Sequence, residues 1–258
     1  MWTTRELVNK SEILAYLEAD RLYAAYAIGD LEPGLFEQCT WVGAEKNGQL
    51  HALALHFRGL KLPAFVLMGD PDGLQAIFRE LLYPAQAYLT CCAEHLGMLE
   101  RFYTWRERIP MWRMALQPMR FHPVKGNCKQ LGPRYVDELM ALYAYGGGDA
   151  FMPMQLERGV FYGVFWEGRL VAAAGTHLVS PTYDVAAVGN VFTHPGYRGR
   201  GFGTVTTSAV VAELLQRGIR NIVLNVSQRN ETAIALYERL GFQRTCPFFE
   251  GPAYAIAQ

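Results

Sequence analysis

The sequence predicts an α/β (α+β) protein of two domains, each a mixed, mainly antiparallel twisted sheet flanked by helices. Three observations carry this. Short apolar runs with strand character alternate with runs at helical spacing along the whole chain. Turn signals at Lys46-Asn47-Gly48 and Glu167-Gly168 join neighbouring strand runs directly, which makes those pairs antiparallel hairpins. The same order of elements also recurs in the two halves. With 258 residues, 51% of them hydrophobic and 19% charged, the chain is globular and long enough to bury a sizeable core in each half.

In order, residues 11–30 place Ile13, Leu14, Leu17, Leu22 and Tyr26 at helical spacing, with Ser11 as the expected N-cap. Strand runs follow at 40–44, 50–58 and 64–68. A helix is expected from the Gly69-Asp70-Pro71-Asp72-Gly73 turn to Leu82, then a strand at 87–92, a short helix at 94–101 and a strand at 112–116. Pro118, Pro123, Gly126 and Pro133 punctuate a stretch without periodicity, so the domains are expected to be 1–123 and 124–258. The second half begins with a helix at 134–145, broken by Gly146-Gly147-Gly148. Strands at 160–166, 169–179 and 185–193 lead to a glycine-rich loop and a helix ending at Arg217-Gly218, where glycine suits the C′ position. A strand at 221–226, a helix at 230–240 capped by Asn230 and stopped by Gly241, and one or two strands within 242–257 complete the chain.

The halves share residue patterns as well as order. Gly-x4-Gly-x-Leu-x-Ala-x-Ala occurs from Gly43 to Ala54 and again from Gly163 to Ala174. Asp70-Pro71 lines up with His194-Pro195, Glu80-Leu81-Leu82 with Glu213-Leu214-Leu215, and Glu100-Arg101 with Glu238-Arg239. The spacing between copies widens where the second carries residues 196–204, so the first copy lacks that loop. Chance likeness of two α/β patterns is the alternative.

That loop, His194-Pro-Gly-Tyr-Arg-Gly-Arg-Gly-Phe-Gly-Thr204, lies between a strand and a helix. Glycines at alternate positions let backbone N–H groups converge at a helix N-terminus, a setting that favours an anion such as a pyrophosphate. Arg198 and Arg200 add charge at its rim. The spacing Arg198-x-x-Gly201-x-Gly203 resembles the acyl-CoA-binding signature of the GNAT superfamily of N-acetyltransferases. A second stretch, Asn225 to Phe242 with Asn230, Ala233, Leu236, Tyr237, Leu240 and Gly241, resembles that family's second CoA-contacting segment. The likeness covers residue 134 to the C-terminus and is strongest over 188–242.

The resemblance implies a strand at 189–193 kinked by a bulge and splayed from its neighbour, with acetyl-CoA as co-substrate. Main-chain groups of Val191, Phe192 and Thr193 would meet the pantetheine and thioester. Arg198, Gly199, Arg200, Gly201, Phe202, Gly203 and Thr204 would hold the diphosphate, with Asn225 and Asn230 as further contacts and Arg229 near the adenosine 3′-phosphate. Independently of family, an amine attacking a thioester builds charge on the carbonyl oxygen that a fixed N–H stabilises. Tyr237 is the expected general acid for the departing thiolate, and its counterpart in the first half, Leu99, cannot donate. For the base, Asn190 acting through water, His177, Asp184 and His194 remain open, as does an ordered water alone. Tyr143, Tyr145, Phe151 and Met152 flank the triple glycine as either a substrate lid or core.

The expected activity is transfer of an acetyl group to an amine by direct attack. A non-catalytic acyl-CoA-binding module and a transferase of longer acyl groups are the alternatives. The acceptor is a small-molecule or peptide amine, and the first half is expected to be a degenerate copy, leaving a monomeric pseudo-dimer or a homodimer. Equal numbers of basic and acidic residues, 24 each, give no field for nucleic acid. No apolar run reaches the ~20 residues of a membrane span, and residues 1–12 lack a secretory apolar segment, which points to a cytoplasmic protein. Cys39, Cys91, Cys92, Cys128 and Cys246 show no metal-ligand spacing and are expected to be reduced and mostly buried.

Overall fold

The computed structural model describes residues 1–80, 84–148 and 151–256. The expected continuation of the third helix over Leu81–Leu82 and the last strand residue, Ala257, lie outside the described residues. The chain folds as two compact units. The first comprises Met1–Trp112, Ser227–Arg229 and Cys246–Gln258; the second comprises Arg113–Val226 and Asn230–Thr245. The final strand segment thus belongs with the first unit.

In the first unit the elements are β1 (Thr3–Glu6), α1 (Lys10–Leu17), α2 (Ala25–Gly29), β2 (Cys39–Lys46), β3 (Gln49–Phe57), β4 (Ala64–Gly69), α3 (Pro71–Glu80), β5 (Gln86–Cys91), α4 (Leu96–Leu99), β6 (Tyr103–Trp105) and the start of β7 (Ile109–Leu116). The strands lie in the order β1-β2-β3-β4-β5, followed by the end of the last strand, Phe242–Ala255, which also pairs β6. Asn47 at φ 54° and Gly48 at φ 74° close the β2–β3 hairpin, both in the left-handed region that such a two-residue turn demands. Phe65, Leu67, Leu74, Ile77, Phe78, Leu89 and Leu99 form the core, with α3 laying its apolar face on the sheet. The expected continuous helix over 11–30 is broken. Asn9, not Ser11, caps α1 by accepting from the Ser11 and Glu12 backbone N–H groups, and a 3-10 turn at Glu18–Asp20 precedes α2. The short strands β1 and β6, too brief to show a period, are absent from the sequence reading.

The second unit holds β8 (Lys129–Gln130), α5 (Val136–Tyr143), α6 (Gln155–Arg158), β9 (Tyr162–Trp166), β10 (Arg169–Ser180), β11 (Val185–Thr193), α7 (Phe202–Gln216), β12 (Asn221–Ser227), α8 (Glu231–Leu240) and the start of β13 (Phe242–Ala255). From the end of β7 the strands run β7-β12-β11-β10-β9-β8. β10 pairs antiparallel with both β9 and β11, whereas β11 pairs parallel with β12, as β4 does with β5 in the first unit. Successive strand residues point to opposite faces. Ala173 accordingly packs with Leu139 and Leu142 of α5, while Ala172 packs on the side of Phe202 and Val205 of α7. Gly218 ends α7 at φ 87°.

Gly241 ends α8 at φ 102°, and a Cβ there would overlap the Arg120 carbonyl. Its own carbonyl accepts from Gln117 N–H at 3.0 Å. Gly241→Ala adds left-handed strain to a backbone clash, so it is expected to cost about 2–4 kcal/mol. Urea unfolding measures this as a lowered midpoint at unchanged slope, and an unchanged midpoint would contradict it.

Candidate functional site

β11 and β12 run as a parallel pair only from Val185↔Asn221 to Val188↔Leu224. Beyond Val188 the ladder stops, because β11 carries one extra residue against β10. Gly175 pairs Gly189 but Ala173 pairs Phe192. Asn190 sits in this bulge at φ 52°, a left-handed conformation that Asn tolerates better than most residues. The backbone of Gly189–Thr193 therefore runs on without β12 beside it, a parting at the place where the family resemblance implies a splay.

Thr193 leads into the glycine loop. Gly199 and Gly201 have φ 75° and 77°, and a Cβ on either would meet open space. Gly201 is the N-cap of α7, and no side chain caps that helix. The first-turn N–H groups of Phe202, Gly203 and Thr204 thus face out at the positive end of a 15-residue helix. At Gly203 a Cβ would stand 3.4 Å from Thr193 Oγ1 and 3.5 Å from Leu236 of α8, so the helix start closes against both β11 and α8. Arg198 Nε donates to the Thr193 carbonyl at 3.3 Å and its guanidinium stacks 5.8 Å from the Phe192 ring. Arg200 is held between Trp166 at 5.4 Å and Tyr197 at 5.2 Å.

Two buried amide oxygens flank the splay. Asn190 Oδ1 on β11 and Asn225 Oδ1 on β12 are both shut off from solvent and, among the described residues, accept no hydrogen bond. Leaving such acceptors unmet costs about 1–3 kcal/mol each, which a ligand carrying N–H donors removes. Asn230 Oδ1 accepts from Ala233 N–H and so caps α8 as expected. Tyr237 on α8 is buried, packs edge-on to Phe242 and makes no hydrogen bond among the described residues; burial pushes its phenol up to about 12. It keeps its proton at any physiological pH and so is able to donate a hydrogen bond.

The open base candidates separate. Asp184 sits in the turn before β11, at the end remote from the bulge, where its carboxylate accepts from Arg220 N–H and Asn221 Nδ2. His194 Nδ1 accepts from Gly196 N–H, and its ring meets exposed Tyr145 at 4.2 Å. His177 lies against Gly189, whose position admits no Cβ because one would overlap the imidazole. Tyr143 and Phe151 pack in the core. Tyr143 Oη donates to the Asn190 carbonyl at 2.8 Å, so of the two readings, lid or core, Tyr143 takes the core one. Gln155, which bonds Asn190 at 3.1 Å, gave no sequence signal, since it stands in an aperiodic stretch. Arg229 falls in the segment that belongs with the first unit.

The first unit has a similar parting, already filled. The β4–β5 ladder ends at Val66↔Thr90. Past it, Leu67 O accepts from Tyr23 Oη at 3.0 Å and Gly69 O from His95 Nε2 at 2.9 Å. His95 Nδ1 accepts from Cys92 N–H, which places the ring proton on Nε2. At the start of α3, Asp70 Oδ1 accepts from the Asp72 and Gly73 N–H groups. An internal carboxylate thus occupies the helix N-terminus where the second unit has glycines. Leu99 lies in the core. The cysteines are free thiols; only Cys91 is fully buried, the other four being half-buried rather than buried as expected. No helix among the described residues is long and apolar enough to cross a membrane.

Residues 132–242 match the family model "Acetyltransferase (GNAT) family". The chain is 35% identical over 92 residues to the [ribosomal protein bS18]-alanine N-acetyltransferase of Escherichia coli K12, covering 36% of this chain and 60% of that protein. It therefore spans less than two thirds of that relative's length. Among solved structures, a GNAT-family protein of Novosphingobium aromaticivorans superposes with TM-score 0.57 at 26% identity, over 74% of this chain and 84% of that one. A tandem GNAT protein from the clavulanic acid biosynthesis pathway superposes over the whole of both chains, with TM-score 0.60 at 14% identity, a likeness of fold alone.

Burial, reinforced by the charge of Arg113, lowers the His177 imidazole from the ordinary 6.5 to about 4. Between these values the unfolded chain binds a proton that the folded chain refuses. Stability contributed by neutral His177 is thus present above pH 6.5 and is lost as pH falls toward 4, by on the order of 2–3 kcal/mol. His177→Gln is expected to flatten that part of the stability–pH curve, measured by urea unfolding; identical curves for parent and variant would contradict it.

Proposed function

Residues 132–242 being a domain of the GNAT acetyltransferase family, we propose that this protein is an N-acetyltransferase that moves an acetyl group from acetyl-CoA to an amine. The observation that carries this reading is the pair of unmet buried oxygens, Asn190 Oδ1 and Asn225 Oδ1, set beside a splayed strand and an uncapped helix. An elongated ligand with an amide N–H for Asn225 and a diphosphate at its other end, met at Asn190 by an amine, matches that layout.

In this reading the N–H groups of Gly199 to Thr204 and the rim arginines Arg198 and Arg200 hold the diphosphate. Asn225 accepts from a pantetheine amide, Asn230 lies at the cofactor side, and the main chain of Val191, Phe192 and Thr193 lines the arm. Val191 N–H is aimed at the thioester oxygen, where charge grows as the amine nitrogen bonds to the acyl carbon. Asn190 Oδ1 accepts an N–H of the amine, directly or through a water that carries the released proton to solvent. As the carbon–sulfur bond breaks, Tyr237 donates to the sulfur and regains a proton from solvent. A phenol near 12 is a stronger hydrogen-bond donor than proton source here, so its effect is graded rather than absolute.

Residues 1–123 are, on this account, a degenerate copy. Its parting is occupied by Tyr23 and His95 and its helix start by Asp70, leaving no room for a second acyl-CoA.

Thiol release followed with DTNB, with acetyl-CoA and a panel of amines, tests the proposal. Amine-dependent release is expected, and Tyr237→Phe should lower kcat by about 10- to 100-fold while CoA still binds. CoA binding without release for any amine would leave a binding module in its place; unchanged turnover in Tyr237→Phe would remove the general acid.

A further inference from the structure

The bulge on β11 is held by side chains from two other elements, and their hydrogen-bonding polarity has a direction. Gln155, 8% exposed, makes hydrogen bonds to both sides of the bulge. Its Oε1 accepts from Met152 N–H at 3.1 Å and from Asn190 Nδ2 at 3.1 Å, and its Nε2 donates to the His177 carbonyl at 3.2 Å. A backbone N–H can only donate and a backbone carbonyl can only accept. Met152 therefore requires the oxygen of Gln155 on its side, and His177 requires the nitrogen on its own. With Gln155 fixed in this way, the Asn190 amide has one orientation. Its Nδ2 must face Gln155 Oε1, and its Oδ1 must face away. Asn190 is 7% exposed, and Oδ1 meets no donor among the described residues. Reversing the amide would set Asn190 Oδ1 against Gln155 Oε1, two acceptors with no proton between them. Tyr143 Oη, donating to the Asn190 carbonyl, fixes the backbone from which this side chain springs.

Resting on the transferase reading above, we infer that Gln155 is a positioning residue: it carries the polarity of two backbone groups, Met152 N–H and His177 C=O, to Asn190. It thereby locks the Asn190 amide with its oxygen toward the acyl site, as an acceptor for an N–H of the incoming amine. The arrangement selects a nucleophile that brings a donor to this point. It acts on the amine and not on the grip on CoA, because the glycine loop and Asn225 are separate from the relay.

Two kinds of readout test this. With asparagine-selective 15N labelling and no ligand, the Asn190 side-chain amide should show exchange-protected protons in the parent and lose that protection in Gln155→Leu. In amine-dependent turnover, Gln155→Leu should lower kcat/KM for the amine by about 10- to 100-fold, with CoA affinity within about 2-fold of the parent. Gln155→Glu keeps an oxygen toward Met152 and Asn190 and, only when its carboxyl is protonated, a donor toward the His177 carbonyl; it should recover most of that loss at low pH and little of it at neutral pH. Gln155→Met serves in place of Gln155→Leu if the latter does not fold. An unprotected Asn190 amide in the parent, or kcat/KM for the amine unchanged in Gln155→Leu, would overturn the inference. So would equal impairment of the Leu and Glu variants at low pH in step with their melting temperatures, which marks a merely structural role. If the parent turns over no amine, the transferase reading falls by itself, and the Asn190 amide spectrum still decides whether Gln155 sets its orientation.

Discussion

Between Gly189 and Thr193, β11 runs without β12 beside it, and the layout of the candidate site in the second unit follows from that parting. One inserted residue at Asn190 breaks the ladder after Val188↔Leu224. Holding a non-glycine residue at φ 52° costs about 1–3 kcal/mol, so the bulge persists only because its surroundings fix it. Tyr143 from α5 grips the Asn190 carbonyl and Gln155 from α6 grips its amide. Gly189 leaves the space that the His177 ring fills. The opening is therefore a built feature, wedged from one face of the sheet by α5 and α6.

The two units furnish such an opening differently. In the first, side-chain donors from Tyr23 and His95 reach carbonyls of β4 beyond its ladder with β5, and Asp70 neutralises the N-terminus of α3. In the second, the helix start carries glycines whose missing side chains leave open space, and two asparagine oxygens are left buried and unmet. Polar groups buried without partners are rare in native folds. Others occur elsewhere among the described residues, at Trp41, His56 and Trp105 for example; what the second unit's parting adds is two unmet asparagine oxygens together with an uncapped helix.

Much of this was legible in the chain. Glycine at alternate loop positions, a strand before and a helix after, and Asn230 and Gly241 bracketing α8 are local signals, because left-handed turns and helix caps restrict residue type within a few positions. The hairpins at Asn47-Gly48 and Glu167-Gly168 were readable for the same reason. What escaped depends on distant partners. Helical spacing from Ile13 to Tyr26 gave no warning that a 3-10 turn at Glu18–Asp20 interrupts it. Strands as short as β6 and β8 exist through their neighbours. Gln155 and Tyr143 gained their roles only when β11 was brought beneath them, and Asp184 lost its candidacy when the turn placed it at the wrong end of the strand.

On the proposed function, backbone amides at the start of α7 grip the diphosphate of CoA. Calorimetric titration of the intact chain with CoA and, separately, with pantetheine, which lacks the diphosphate, tests that grip most directly. One CoA per chain, bound at least about 100-fold more tightly than pantetheine, is the predicted result. Equal affinity for the two, or no binding of CoA, would contradict it.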